Sequence, residues 1–351
     1  MVIEEIGDIT DRSDPLKLKQ LDIREPHDKE ILIRVLACGV CHTEIDEIEG
    51  RTAPPSLPVV PGHEIVGRVE VVGSNETTHK VGDRVGVGWF YGTCGRCRFC
   101  ISGSENLCPE FVATGRDNDG GYAHFVIVPG ESAFAIPDRF SDGEAAPLLC
   151  AGAVGYRSLM AARIENGERI GFVGFGASAH LVLQMARYLY PDSWIGVITR
   201  TAEKQRMAKE LGASWAGNPG SIARRIGKSN DLDNPIYFDA IIDTTPVWRP
   251  IVDGLRVLAP GGRMIINAIR KVDSDKNALS EMTYRDHLWM EKHLTTIANV
   301  TRNDIVSALK LANTIHIRPR VDEYPLSDAN LALRDLKSGT GLGAKVLRVS
   351  S

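Results

Sequence analysis

Over the first 150 residues, apolar and polar positions alternate in short runs. Residues 30–37 (Glu-Ile-Leu-Ile-Arg-Val-Leu-Ala), 65–73, 81–87 and 121–128 each read as a strand, because side chains two apart share one face of a sheet. Glycine, proline and asparagine separate these runs, as turns require. The pattern predicts an antiparallel, barrel-like domain over residues 1–150. Further strands at 321–324 and 345–349 predict that residues 295–351 return to it. After Cys150 the rhythm changes. Residues 151–162 look helical, 169–173 form a short apolar strand, and a helix follows over 180–190. Strands at 195–199, 238–243, 264–268 and 296–300 then alternate with helices at 202–211 and 247–258. Such alternation predicts a parallel sheet covered on both faces, over residues 151–294. The fold class is therefore α/β.

Composition narrows the partners. The chain is 43% hydrophobic and 25% charged, with a net charge of −4. That balance offers no basic field for nucleic acid and no polybasic face for a membrane. The start has no basic segment followed by an apolar one, and no uncharged apolar run is long enough to span a bilayer. A cytoplasmic protein is the expectation. Seven cysteines in such a chain argue for thiol or metal chemistry over disulfides.

Four of them cluster as Cys94-x-x-Cys97-x-x-Cys100 followed by Cys108. Four thiolates on one short loop match a closed, tetrahedral, structural zinc site. A second set is sparser. Cys41 stands in Gly39-Val40-Cys41-His42-Thr43-Glu44, His63 in Gly62-His63-Glu64, and Cys150 in Leu149-Cys150-Ala151-Gly152. Two sulfurs and one imidazole suit a zinc whose fourth position stays open, the arrangement of a catalytic metal. Cys38 is left over and reads as a small buried hydrophobe.

Between a strand and a helix lies Gly174-Phe175-Gly176-Ala177-Ser178-Ala179. A turn of this kind admits a pyrophosphate at a helix N-terminus, which is the dinucleotide-binding context. The second strand ends in Thr199-Arg200-Thr201, without the carboxylate that would bind ribose hydroxyls. Arg200 could meet a 2′-phosphate, so NADP is favoured over NAD. Thr244, Ala268 and Asn299, at or beyond the ends of the later strands, are further candidates for contact with the dinucleotide.

Taken together, these motifs resemble the zinc-dependent alcohol dehydrogenases of the medium-chain dehydrogenase/reductase family, over nearly the whole chain. Gly261-Gly262-Arg263 before a late strand adds to the likeness. The resemblance implies a GroES-like β-barrel catalytic domain and a Rossmann domain, with zinc on Cys41, His63 and Cys150 and a second zinc on the four-cysteine loop. It implies a Lewis-acid metal that acidifies an alcohol, and a nicotinamide that accepts hydride from it. Thr43 resembles the hydroxyl that bonds the substrate oxygen, and Glu64 a carboxylate close to the zinc. His42 and Lys345 resemble phosphate contacts, Glu44 the acid supporting the zinc-bound histidine, and Trp89 a substrate-pocket wall. Family members are commonly homodimers or homotetramers. The expected substrates are small alcohols, aldehydes or ketones. The alternatives are a polyol, cinnamyl-type or acyl-CoA-linked alcohol, or a non-catalytic dinucleotide-binding zinc protein.

One departure concerns the proton's exit. Many relatives carry a histidine three residues after the relay hydroxyl, and here that residue is Asp46. Asp46, or water, is expected to take the last step.

Overall fold

A computed structural model describes residues 1–219 and 237–350. The chain forms two compact units, residues 1–153 with 299–351, and residues 154–298.

The first unit is built on a seven-stranded sheet. Its order runs Val321–Pro325, Ala344–Arg348, Glu30–Val40, Ile65–Val72, Arg84–Val87 and Ala133–Ala135, and Phe125–Pro129 also pairs with Glu30–Val40. All pairings are antiparallel except that between Val321–Pro325 and Ala344–Arg348. Alternating apolar residues on Glu30–Val40, among them Ile31, Ile33 and Val35, are fully buried. They join Ile65, Val85, Val126 and Leu347 in one core, which anchors the strand ends and loops that carry the cysteines.

The second unit holds six strands among the described residues, all parallel. Their order is Trp215–Gly217, Trp194–Ile198, Arg169–Val173, Phe238–Asp243, Leu258–Ile266 and His293–Thr296. Numbered along the chain this is 3-2-1-4-5-6, the Rossmann arrangement. The order reverses between Arg169–Val173 and Phe238–Asp243, and such a switch point leaves a crevice at the strands' carboxyl ends. Gly174 and Thr244 stand there, and the Thr244 N–H donates to the Val173 carbonyl at 2.9 Å.

Most elements fall within a few residues of their expected places, and two readings need correction. The last strand is His293–Thr296, not residues 296–300. Beyond it Asn299 adopts φ +58°, which cannot continue a strand. The helix after the glycine turn starts at Ala177, not at His180. Among the described residues no single helix is long and apolar enough to cross a bilayer.

Candidate active site and metal centres

Cys41 follows the long strand directly and caps the helix His42–Ile48. The Cys41 N–H donates to Glu44 Oε2 at 2.7 Å, which gives that carboxylate a fixed direction. The other oxygen, Oε1, lies 2.6 Å from His63 Nδ1. Both side chains are buried, with His63 1% and Glu44 0% exposed. Holding Nδ1 in this way turns Nε2 toward a ligand, and Nε2 has no hydrogen-bond partner in the protein. Glu64 adds a fourth group. Its carboxylate packs over Gly39, where an added Cβ would lie 1.8 Å from Glu64 Oε2. Glycine is therefore required at 39.

The ligating atoms of Cys41, His63, Glu64 and Cys150 all lie within 4.8 Å of one another. Cys150 hydrogen-bonds Cys41 and pulls its thiol well below the ordinary value, with His63 assisting. Cys150 is pushed up correspondingly. Burial raises Glu64 well above the usual carboxylate range. Two soft sulfurs, an imidazole nitrogen without a partner and a nearby carboxylate fit a zinc ion. Cys38 belongs to neither metal-binding group and is fully buried.

The second group is Cys94, Cys97, Cys100 and Cys108. Its Sγ–Sγ separations include 3.5 Å for Cys97–Cys100, 3.5 Å for Cys94–Cys108 and 3.9 Å for Cys94–Cys100. Four sulfurs around a tetrahedral zinc, each about 2.3 Å from it, stand about 3.8 Å apart. A disulfide needs about 2.05 Å. The Cys97 and Glu110 N–H groups donate to Cys94 and Cys108 sulfurs, each at 3.4 Å. Backbone donors from Arg96 and Cys97 lower the Cys94 thiol to about 6. The donor set and spacing fit zinc with no open position.

The helix His42–Ile48 places three more residues. Thr43 Oγ1 is 3.6 Å from Cys41 Sγ. His42 is exposed at the first turn. Asp46 is fully buried, and Arg51 donates to it through Nε at 2.8 Å and lies within 2.7 Å through Nη2. A buried carboxylate held by an arginine does not lead a proton to solvent, so this arrangement gives the relay expected of Asp46 no support. Lys345 is only 2% exposed, donates to the Tyr324 hydroxyl at 3.2 Å and pairs with Asp322 at 3.6 Å. Its charge already has an internal partner, which weakens its case as a phosphate contact.

In the second unit, Gly174 adopts φ +85°, and an added Cβ would meet Thr244 Oγ1 at 2.6 Å. Gly176 caps the helix Ala177–Leu189 without a side-chain acceptor for its first amides. An added Cβ there would meet nothing within 4 Å. Open space over a helix N-terminus, with Ala177 and Ser178 in the first turn, fits a dinucleotide pyrophosphate. Thr199 is 7% exposed and Arg200 is exposed. Thr244 and Ala268 are half-buried just past their strands.

Sequence reasoning missed two features. One is Glu47, buried on the helix His42–Ile48 with its carboxyl pushed well above the usual range, by burial first and Glu44 next. The other is Arg302, whose Nε and Nη2 engage Glu105 at 2.9–3.2 Å. An acidic run in a surface loop and the same run in a buried helix look alike in sequence.

A GroES-like sheet with a Cys/His/Cys set and a Rossmann sheet with an open glycine turn define a metal- and dinucleotide-dependent oxidoreductase. Comparison with known proteins narrows this. Residues 27–138 match the alcohol dehydrogenase GroES-like domain. A probable alcohol dehydrogenase AdhA of Mycobacterium tuberculosis is 38% identical over 340 residues, covering 95% of this chain and 93% of the relative. An alcohol dehydrogenase of Geobacillus stearothermophilus is 30% identical, covering 95% and 96%. Among solved structures, an NAD-dependent alcohol dehydrogenase superposes with a TM-score of 0.87 at 23% identity over 99% of both chains. A cobalt- and zinc-bound alcohol dehydrogenase from Pyrobaculum aerophilum gives 0.81 at 26% identity, over 99% of this chain and 100% of that one. The chain belongs to the medium-chain zinc alcohol dehydrogenase family, and it is an NAD(P)-dependent oxidoreductase of alcohols.

Proposed function

We propose that the chain carries two zinc ions, one on Cys41, His63 and Cys150 and one on Cys94, Cys97, Cys100 and Cys108, and that it interconverts a small alcohol with its aldehyde or ketone. The observation that carries this reading is the Cys41, His63, Glu64 and Cys150 cluster with the Thr43 hydroxyl against it. When bound at the open set, zinc supplies a Lewis acid that brings an alcohol's pKa toward neutrality. Thr43 Oγ1 orients the substrate hydroxyl and accepts its proton. Glu44 holds the His63 ring, and Glu64 stands by as a transient fourth donor. Asp46 acts as a positioning residue that fixes the helix through Arg51. The proton leaves by His42 or by water.

The dinucleotide lies on Gly174, Gly176, Ala177 and Ser178, with Thr199, Thr244, Ala268 and Asn299 lining its course. Exposed Arg200, in a strand end (Thr199-Arg200-Thr201) that carries no carboxylate, favours NADP over NAD. A homodimer or homotetramer is supported by an exposed edge. All four residues of His293–Thr296 are exposed, and Tyr284, Trp289, Met290 and Leu294 are at least 45% exposed in the same region of sequence. An uncovered parallel edge with apolar neighbours invites pairing.

The test is zinc analysis of the purified chain, followed by an alcohol and aldehyde panel with NADP and with NAD. Two zincs per chain and reduced-nicotinamide formation with higher kcat/KM for NADP are expected. One zinc with no turnover would overturn the dehydrogenase reading. Equal use of both dinucleotides would remove the role given to Arg200.

A further inference from the structure

Phe238–Asp243 ends at the switch point, and the chain turns over residues 244–248 before the helix Arg249–Arg256 begins. That turn stands against Gly174: the Cβ that glycine lacks would lie 2.6 Å from Thr244 Oγ1 and 3.1 Å from Thr245 Cγ2. Thr244 is held to the neighbouring strand, its N–H and Oγ1 donating to the Val173 carbonyl at 2.9 and 3.1 Å. Beyond Thr244, residues 271–275 fasten the turn. The Val272 N–H donates to the Pro246 carbonyl at 2.7 Å. Asp275 accepts from the Trp248 and Arg249 N–H groups at 3.0 and 2.8 Å. Lys271 Nζ donates to the Thr245 and Val247 carbonyls at 2.7 and 3.1 Å, and to Asp243 Oδ2.

An ammonium has three protons, and here all three go to the strand end and the turn. The Asp243 side chain is 0% exposed and that of Lys271 7%. The other oxygen of Asp243 accepts from Thr245, from Oγ1 at 2.8 Å and from N–H at 3.3 Å. Burial keeps the Asp243 carboxyl above its ordinary value although Lys271 faces it. A buried ion pair is weak evidence for stability, since apolar side chains of similar volume often replace one without loss. What this pair supplies is position. It fixes the Thr245 and Val247 carbonyls and the Thr245 hydroxyl with respect to Gly174. Asn267, in the same connection after Leu258–Ile266, reaches the helix that follows the glycine turn. Its N–H donates to the Asp243 carbonyl at 2.7 Å, and its Nδ2 to Ser178 Oγ at 3.3 Å.

We propose that Lys271 is a positioning residue for the dinucleotide: with Asp243 it holds the turn 244–247 at the spacing from Gly174 that admits the cofactor, and so sets dinucleotide affinity rather than the hydride step. This rests on the reading of Gly174, Gly176, Ala177 and Ser178 as the dinucleotide site. The Lys271 ammonium has no proton left for the cofactor, so it acts through the turn it holds. A wall fixed before binding needs no ordering when the ligand arrives, and affinity gains by that saving.

The experiment titrates NADPH and NADH into the zinc-loaded chain by nicotinamide fluorescence, beside kcat at saturating dinucleotide and urea midpoints. Lys271→Met should raise the dissociation constant about 10- to 100-fold, with kcat within about threefold of wild type. It also leaves Asp243 buried without its partner and should lower the urea midpoint. The double variant Asp243→Leu with Lys271→Met separates the two effects, and it carries the test if Lys271→Met alone does not fold. Its midpoint should return toward wild type, because no charge is left buried, while its affinity stays weak, because nothing holds the turn. Affinity that recovers along with the midpoint would show a pair serving stability alone and overturn the proposal, as would wild-type affinity in Lys271→Met. Gly174→Ala is the control for the underlying reading. If that variant binds as wild type does, the dinucleotide lies elsewhere and the reading of the glycine turn fails. If it binds weakly while Lys271→Met binds normally, only the role of Lys271 fails.

Discussion

Glu44 Oε1 stands 2.6 Å from His63 Nδ1 while Glu44 Oε2 accepts the Cys41 N–H at 2.7 Å. One carboxylate thereby orients two of the three proposed zinc ligands. Glu44→Gln would present an amide N–H to one of two sites that each need an acceptor. We expect zinc affinity at this site to fall by about 10- to 100-fold, read by competition with a chromogenic chelator. The four-cysteine zinc should be unaffected. Unchanged affinity would mean that His63 is oriented by its packing alone.

Arg302 ties the four-cysteine loop to the helix Arg302–Thr314. Its backbone N–H donates to Glu105 Oε1 at 2.8 Å, its Nη1 reaches Glu131 at 2.8 Å, and its guanidinium lies 5.2 Å from the Phe90 ring centroid. Glu105 is 7% exposed, so removing the guanidinium strands a nearly buried carboxylate. Water still reaches Arg302, and Arg302→Met should cost about 1–2 kcal/mol. The melting point should drop by about 1–4 °C, with faster loss of the loop's zinc to a chelator. A melting curve identical to wild type would count against the tie.

Much of this was legible in the sequence because metal sites and glycine turns use few residue types at fixed spacing. Cys94 to Cys108 close into one cluster, and Cys41, His63 and Cys150 meet although 109 positions separate the first from the last. The strand pattern found Phe238–Asp243 at both ends. What it missed was set by tertiary context. The short helix His42–Ile48 has no long apolar period, and it is buried because Ile45 and Ile48 join the core that Leu333 and the strand residues also line. Residues 296–300 are as β-prone as those of a strand, yet pairing with Leu258–Ile266 uses His293–Thr296. Whether Asp46 faced solvent or Arg51 depended on which side of that helix the core lay.

Gly174 carries the cofactor turn by conformation as well as by size. At φ +85°, a Cβ would be strained and would lie 2.6 Å from Thr244 Oγ1 and 3.1 Å from Thr245 Cγ2. Gly174→Ala should cost about 1–2 kcal/mol in backbone strain alone and push Thr244 away from the Val173 carbonyl, to which its Oγ1 now donates at 3.1 Å. Weaker binding of the reduced dinucleotide is expected, seen as a right-shifted fluorescence titration, with both zincs retained. Wild-type affinity would place the pyrophosphate elsewhere.

At the start of the long strand, Glu30 gives the first unit a dependence on pH. Arg24 donates to both of its oxygens, at 2.6 and 2.9 Å, and the His27 N–H adds a bond at 2.7 Å. The Arg24 hydrogen bonds, opposed by burial, hold the carboxyl below its ordinary value. A carboxyl whose folded value lies below its unfolded one, about 4.3, stabilises the fold fully above that unfolded value. The contribution is lost as pH falls through the folded value. Glu30→Gln should therefore be less stable than wild type at pH 7 by about 1 kcal/mol, since Arg24 is half-exposed and the pair is screened. The gap should close below about pH 4. Urea midpoints at pH 7, 5 and 3.5 measure it, and a gap that does not narrow with acid would show that the Arg24 pair adds nothing to stability.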